Sequence, residues 1–298
     1  MTSCYDIGCQ VGAKASELID GTPPGFVTIG GRYADIGPSF RDYDDLPVDQ
    51  FASAISSMGT ALNSVAVPGQ GGADVLDGSV TVRPNDAFSN MTRIVPDVLD
   101  WKGDAAANFN DNYHAQLPYV ADANFTGISV LGAALEAQRE LYTNARESIL
   151  DIGQKTLSAL EAADGRGSAA GTFALTVLAA AGTVAVTVLT AGTGTAAGVA
   201  ITIAVASGAA STGAAASSME FGGDSPEQVM ADFYTAVGKV EEHIRTRQQE
   251  IGDGLRQFAQ TVNSDIGRTS YAESEYPVFT FKPTGFANGP GGLGAYDG

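Results

Sequence analysis

Residues 225–266 read SPEQVMADFYTAVGKVEEHIRTRQQEIGDGLRQFAQTVNSDI, and this stretch predicts one long α-helix. Ser225 supplies a capping hydroxyl, Pro226 fits the first helical turn, and the acid Glu227 lies near the positive end of the helix dipole. Apolar residues then recur mostly every three or four positions, at Val229, Phe233, Val237, Val240, Ile244, Ile251, Leu255, Phe258, Val262 and Ile266. A helix of about 40 residues is roughly 60 Å long.

A second long helix is predicted over residues 119–163, which end before the helix stop Gly165-Arg166-Gly167. Its apolar seam consists of Ile128, Leu131, Leu135, Tyr142, Ile149, Ile152 and Leu160. The two helices are similar in length, and we expect the segment between them to return the chain, so that they pair antiparallel. The predicted fold is therefore all-α, an elongated antiparallel bundle of long coiled-coil-like helices that carries an apolar helical hairpin.

The predicted hairpin occupies residues 166–219, where no charged residue occurs between Arg166 and Glu220. Two apolar runs, 173–189 and 196–206, flank a Gly-Thr-Gly turn, and helices of roughly 20 residues would match the hydrocarbon thickness of a bilayer. Three roles fit residues 172–217: membrane contact, burial within a soluble bundle, or oligomerisation. The expected contact residues are Phe173, Leu175, Val177, Leu178, Val184, Val186, Val188, Leu189, Val199, Ile201, Ile203 and Val205.

The remaining boundaries follow from composition and periodicity. Residues 1–47 are rich in Gly, Pro and Asp and predict an irregular N-terminal arm, whereas 48–165 form a helical region whose first helix spans 48–66. A shorter helix over 85–100 is expected to begin at Asn85 or Asp86, and VTVRP at 80–84 fits a short strand or a loop. Residues 220–268 form the long C-terminal helix that packs on 119–163, and 269–298 form a flexible tail.

The charge balance excludes several classes of partner. Acidic residues outnumber basic ones by 34 to 16, giving a formal net charge of −18, so the surface repels nucleic acid and anionic lipid at long range. Any membrane contact must therefore come from apolar burial. The N-terminus lacks a basic region followed by an apolar run, so export would need a route that does not use such a signal peptide. Cys4 and Cys9 fit either a small local disulfide or two free thiols.

Enzymatic chemistry has little support in the sequence. His114 and His243 are the only histidines, both lie in polar helical stretches, and we expect both to be surface residues. No nucleophile-elbow, zinc-protease or phosphate-loop pattern is present. The acids Asp42, Asp44, Asp45 and Asp49 lack the spacing of a calcium loop and fit a solvated arm. The sequence thus predicts a protein that is not an enzyme and has no cofactor or metal.

Trp101-Lys102-Gly103 separates two predicted helical stretches, and Tyr271 lies four residues before Glu275, just beyond the last helix. A glycine supplies the backbone freedom of such a turn, and a tryptophan offers a large apolar anchor. With these motifs the sequence resembles the WXG100 superfamily of type VII (ESX) secretion proteins, including the larger EspB-like and EspA-like proteins of actinobacteria. In that family a Trp-x-Gly turn joins two antiparallel helices, and a Tyr-x-x-x-Asp/Glu motif completes an export signal.

The resemblance implies that Trp101, Gly103, Tyr271 and Glu275 form the export signal of a secreted or cell-envelope protein. The implied partners are a type VII ATPase or chaperone, together with a second copy or another helical protein. Three features depart from the family pattern: the acid is Glu rather than the commoner Asp, the tyrosine motif follows the third long helix, and the N-terminal arm and the uncharged segment lie outside the minimal unit. The resemblance therefore covers only residues 48–165 and 225–275. The alternative is a pore-forming or membrane-anchored helical protein unrelated to type VII export.

Overall fold

The computed structural model describes residues 3–23, 30–66, 74–75, 80–87, 90, 102–109, 117–164, 173–176, 184–190, 199–205, 218–221 and 225–266. These residues are mostly α-helical. The helices are α1 (Cys4–Asp20), α2 (Ile36–Asp44), α3 (Val48–Val65), α4 (Asp104–Phe109), α5 (Leu117–Asp164) and α6 (Pro226–Ile266). The strands are β1 (Asp74–Val75), β2 (Val80–Thr81), β3 (Phe173–Thr176), β4 (Val184–Thr190), β5 (Val199–Val205) and β6 (Ser218–Phe221).

The three helices predicted over 48–66, 119–163 and 225–266 are confirmed as α3, α5 and α6. The predicted start of α6 is also confirmed, because the backbone N–H of Gln228 donates to the Ser225 hydroxyl at 3.3 Å. The predicted apolar seam of α5 is wrong at Leu131, because this side chain is 45% exposed. The nearby Val130, Ala133 and Ala134 are buried instead. Several buried positions of α5 hold alanine, which the apolar periodicity of larger residues did not reveal.

The prediction of an irregular arm over 1–47 is wrong, because this region contains α1 and α2. Ser3 and Asp6 form a capping box at the start of α1, in which each side chain accepts from the other residue's backbone N–H. The glycines that suggested loop structure instead bring the two helices together. A methyl group at Gly12 would lie 2.7 Å from the carbonyl oxygen of Tyr33, and one at Gly8 would lie 3.0 Å from that of Ile36.

The prediction of an apolar helical hairpin over 166–219 is also wrong. The described residues of this segment form β3, β4, β5 and the start of β6, with β3 antiparallel to β6 and β4 antiparallel to β5. In β5, and in β4 up to Val188, valine or isoleucine alternates with alanine or threonine, and this period of two fits a strand rather than a helix. β-Branched side chains also favour strands over helices.

The chain forms two compact units. The first consists of Met1–Phe51, Ala137–Thr183 and Ala206–Glu250. Its core is built from α1, α2, the C-terminal half of α5 and the N-terminal half of α6. The rings of Phe40 and Phe233 lie 5.7 Å apart within this core. A methyl group at Gly153 would lie 2.8 Å from a side-chain carbon of Ile7, so this glycine allows α1 to approach α5 closely.

The second unit consists of Ala52–Glu136, Val184–Val205 and Ile251–Gly298. In this unit, hydrogen bonds connect the end of α3 with the segment that follows β2. The backbone N–H of Arg83 donates to Asn63 Oδ1 at 2.9 Å, and that of Asn85 donates to the carbonyl of Ala66 at 2.8 Å. Val82, which directly precedes Arg83, is buried, as is Leu62 of α3.

Asp44 joins three parts of the first unit. Its carboxylate accepts hydrogen bonds from the backbone N–H groups of Cys4 at 3.0 Å and Tyr5 at 2.8 Å, at the positive end of α1. It also lies 3.4 Å from the guanidinium of Arg146 on α5. Burial by itself would raise the pKa of Asp44, but the hydrogen bonds from Tyr5 and Cys4 and the charge of Arg146 outweigh it and lower the pKa.

Asp44→Asn tests this link. Because the folded-state pKa is lowered, the carboxylate stabilises the fold above its unfolded-state pKa of about 3.9, and this contribution is lost as pH falls through the folded-state pKa. We expect the variant to lose about 1–3 kcal/mol of unfolding free energy at neutral pH. Urea unfolding across a pH series should show the difference between the two proteins shrinking in acid. The control is Asp42→Asn, at an exposed position of the same helix. An equal response of both variants would contradict the assignment.

Candidate functional site

Gly103 is the one residue of the predicted export signal that lies among the described residues. Its φ of 103° is in the left-handed region that favours glycine, and α4 begins at the next residue, Asp104. The carbonyl of Gly103 accepts from the N–H groups of Ala106 and Ala107, each at 3.1 Å. The predicted helix start at Asp104 is therefore confirmed, whereas the predicted reversal between two helices involves residues 91–101, which lie outside the described residues. Trp101, Tyr271 and Glu275 lie outside the described residues.

The stretch before this turn is described in part. Asn85 Oδ1 accepts from the backbone N–H of Ala87 at 2.9 Å, and residues 86, 87 and 90 are helical. Asn85 therefore caps the start of the predicted 85–100 helix. The remainder of that helix, residues 91–100, lies outside the described part of the chain, as do residues 110–116 after α4.

The second candidate site is the uncharged ribbon, which we define as β4 and β5. The two strands pair over seven consecutive positions, from Val184 opposite Val205 to Thr190 opposite Val199. Ten of the twelve predicted contact residues lie in strands: Phe173 and Leu175 in β3, Val184, Val186, Val188 and Leu189 in β4, and Val199, Ile201, Ile203 and Val205 in β5. Val177 and Leu178 lie outside the described residues.

The register divides the ribbon into two kinds of position. Alternate pairs join β-branched residues, as in Val186 opposite Ile203 and Val188 opposite Ile201. The intervening pairs are mostly small, as in Ala185 opposite Ala204. Since successive residues of a strand face opposite sides, the valine and isoleucine positions share one side of the ribbon, and the alanine and leucine positions share the other with Thr187 and Thr202. Neither side has a charged position.

The N-terminal cysteines form no disulfide: Cys4 is a buried free thiol, and Cys9 is a half-buried free thiol. Burial, the nearby charge of Asp44 and a side-chain hydrogen bond with Asp44 raise the pKa of Cys4 to about 12, although Arg146 acts in the opposite direction. The thiol therefore remains protonated at neutral pH, which is unfavourable for a nucleophile. The local sequence around Cys4 gave no signal for this arrangement, because Asp44 and Arg146 are distant along the chain.

Two of the histidine and acidic residues noted in the sequence, His243 and Asp44, contact other parts of the fold. His243 was predicted to be a surface residue, but it is half-buried; burial lowers its pKa, Arg247 lowers it further, and Glu250 opposes them. His114 lies outside the described residues. Within the described part of the chain, no cluster of histidine, cysteine or carboxylate side chains has the arrangement of a metal site. In the predicted acidic arm, Asp44 caps α1 instead of facing solvent alone.

Among the described residues, no helix combines the length and apolar character needed to cross a membrane. No family model matches the chain, and no curated protein or solved structure matches it. The resemblance to the WXG100 superfamily therefore stays a prediction from the motifs.

Two glycine-to-alanine substitutions separate the role of the Gly103 turn from a general effect of added methyl groups. Neither Gly103 nor Gly238 has an atom within 4 Å that a Cβ would meet outside its immediate chain surroundings. Gly103 has a positive φ, whereas Gly238 lies inside α6. We expect Gly103→Ala to destabilise the fold by about 1–3 kcal/mol and Gly238→Ala to stabilise it by about 0.5–1 kcal/mol. Denaturant unfolding measures both, and changes of the same sign would refute the turn assignment.

Proposed function

We propose that this chain is a non-enzymatic protein exported by a type VII-like secretion system, with Trp101, Gly103, Tyr271 and Glu275 as its export signal. The observation that supports this proposal is the left-handed backbone conformation of Gly103, directly before α4. A Trp-x-Gly turn that leads into a helix needs a glycine at this position. The recognising partner is a type VII ATPase or chaperone, and the exported protein acts outside the cell or at the cell envelope.

The contacts between α5 and α6 bear on the proposed antiparallel bundle. Gln248 of α6 donates to the Tyr142 hydroxyl of α5 at 2.9 Å, whereas Phe233, earlier in α6, packs on Phe40. Phe40 in turn lies beside Gly153, later in α5. Earlier positions of α6 therefore correspond to later positions of α5, and this order supports an antiparallel pair.

Continued along both helices, the same order would place the end of α6 near the beginning of α5. Gly103, the beginning of α5 and the end of α6 belong to the same compact unit, which agrees with this arrangement. Tyr271 follows the end of α6 by five residues in the sequence, and Trp101 precedes Gly103 by two.

The alternative function is a pore-forming or membrane-anchored protein unrelated to type VII export. It is supported by the uncharged sequence between Arg166 and Glu220. The two functions differ in what the signal residues do. The alternative assigns no role in export to Trp101 or Tyr271, whereas the proposed function requires both.

Secretion from the native host tests the proposal. We expect Trp101→Ala and Tyr271→Ala each to reduce the secreted fraction by about tenfold or more while the intracellular amount is retained, because the composite signal needs both parts. The double variant should be no worse than either single one. Tyr276→Ala is the matched control, since it removes a tyrosine from the same tail outside the motif. Immunoblots of culture filtrate and cell lysate give the readout. Unchanged secretion of both single variants would exclude this export signal.

A further inference from the structure

A group of charged and aromatic side chains lies where the end of α1, the segment before α2 and the start of α6 come together. Tyr33 joins these elements, because its carbonyl oxygen lies against Gly12 of α1 and its side chain belongs to the same buried cluster as Val229 of α6. We define the acidic–aromatic patch as Tyr33 together with the exposed residues Asp20, Arg32, Asp35, Glu227 and Tyr234. Its charged members are three carboxylates and one guanidinium, so the patch is acidic.

The Tyr33 hydroxyl is the first indication that the patch binds a polar group. Tyr33 is only 1% exposed, and its hydroxyl oxygen has no hydrogen-bond partner among the described residues. Burial raises the pKa of Tyr33, and the charges of Asp20 and Glu227 raise it further. Arg32 acts in the opposite direction. The hydroxyl therefore lies near the charges of the patch and is protonated at neutral pH. Buried polar groups are nearly always hydrogen-bonded, so an unpaired hydroxyl at this place indicates a bound group.

Tyr234 is the second indication, because its ring is held in place while much of it faces solvent. The residue is 46% exposed, and its ring packs edge-on against buried Phe233 at a centroid distance of 5.2 Å. Burial raises the pKa of Tyr234, and Asp35 and Tyr33 raise it further. Arg32 opposes them, so the Tyr234 hydroxyl lies near the same groups. A fixed, half-exposed tyrosine is the kind of residue that anchors a partner at a protein interface.

The chemistry of the patch selects a cationic group, and a guanidinium in particular. Tyrosine rings attract cations, and carboxylates form charge-assisted hydrogen bonds with guanidinium groups. The chain itself shows the first of these contacts, because the guanidinium carbon of Arg32 lies 5.5 Å from the centre of the Tyr33 ring. The net charge of −18 attracts a basic partner at long range, whereas a second copy of this chain carries the same charge and is repelled.

We propose that the acidic–aromatic patch binds an arginine side chain presented by a basic segment of a partner protein. The ring of Tyr234 covers the guanidinium, and the Tyr33 hydroxyl accepts a hydrogen bond from one of its N–H groups. Asp35 and Glu227 compensate its charge. Every residue of the patch belongs to the first unit, which contains none of the proposed export-signal residues. This binding therefore goes beyond export and does not depend on it.

Fluorescence anisotropy with a labelled hexa-arginine peptide and the full-length protein tests this surface. We expect the peptide to bind, and Glu227→Gln to raise its dissociation constant by about threefold or more, because one carboxylate of the site is lost. Glu161→Gln is the matched control, since it removes the same charge from an exposed position of α5 in the same unit. Equal weakening by both variants would reduce the binding to general attraction by the net charge and overturn the inference. A wild type that does not bind the peptide would overturn it as well.

Tyr33→Phe tests the hydroxyl without changing any charge. We expect this variant to bind hexa-arginine about threefold or more weakly, with an unchanged or higher thermal unfolding midpoint, because the hydroxyl has no partner among the described residues. Tyr5→Phe, which removes a hydroxyl from α1, should bind like wild type. Wild-type affinity of Tyr33→Phe, or a lowered midpoint, would refute the role of the hydroxyl in binding. A chain that is exported but does not bind the peptide would refute this inference and leave the proposed function standing.

Discussion

Close packing of α1 and α2 against α5 and α6 is the constraint on which the first unit depends. The contact is possible because glycine occupies the helix faces that meet. Gly12 lies against the backbone at Tyr33, and Gly153 lies against the side chain of Ile7, at distances that a methyl group would not allow. Without these glycines the helices would move apart, and the apolar side chains between them would lose contacts that depend steeply on distance.

This close approach also determines the polar contacts of the unit. With α1 held against α2 and α5, the carboxylate of Asp44 reaches both the first backbone N–H groups of α1 and the guanidinium of Arg146. A carboxylate at this end of a helix is favoured by the helix dipole and by otherwise unpaired N–H groups. The same packing buries Cys4 and raises the pKa of its thiol. The apolar contacts therefore position the polar ones, and none of the polar groups has a local sequence signal.

The sequence predicted those elements whose pattern persists over many turns. α5 and α6 were predicted nearly to their ends because periodic apolar positions along a long helix outweigh single exceptions such as Leu131. α1 and α2 were missed because the Gly, Pro and Asp content of residues 1–47 indicates an irregular arm, whereas Gly8 and Gly12 lie on a helix face that approaches neighbouring backbone closely. The strands were missed for a different reason. The alternation in VAVTVLT and VAITIAV indicates strands, but the length of the uncharged segment was given more weight.

Among the described residues, the predicted export signal can be compared with the structure at one point, the backbone conformation of Gly103. Gly103 was expected to supply a turn before a helix, and its positive φ meets that requirement directly. The contribution of Trp101 or Tyr271 to export depends on what a partner recognises, and no rule of chain conformation predicts that. For the uncharged ribbon, the composition could be predicted but the backbone pairing could not. Its lack of charge was evident from composition, but the pairing of Val184 with Val205 is a long-range choice that depends on register. Such a register is a property of two strands that are distant from any local signal, so composition alone does not predict it.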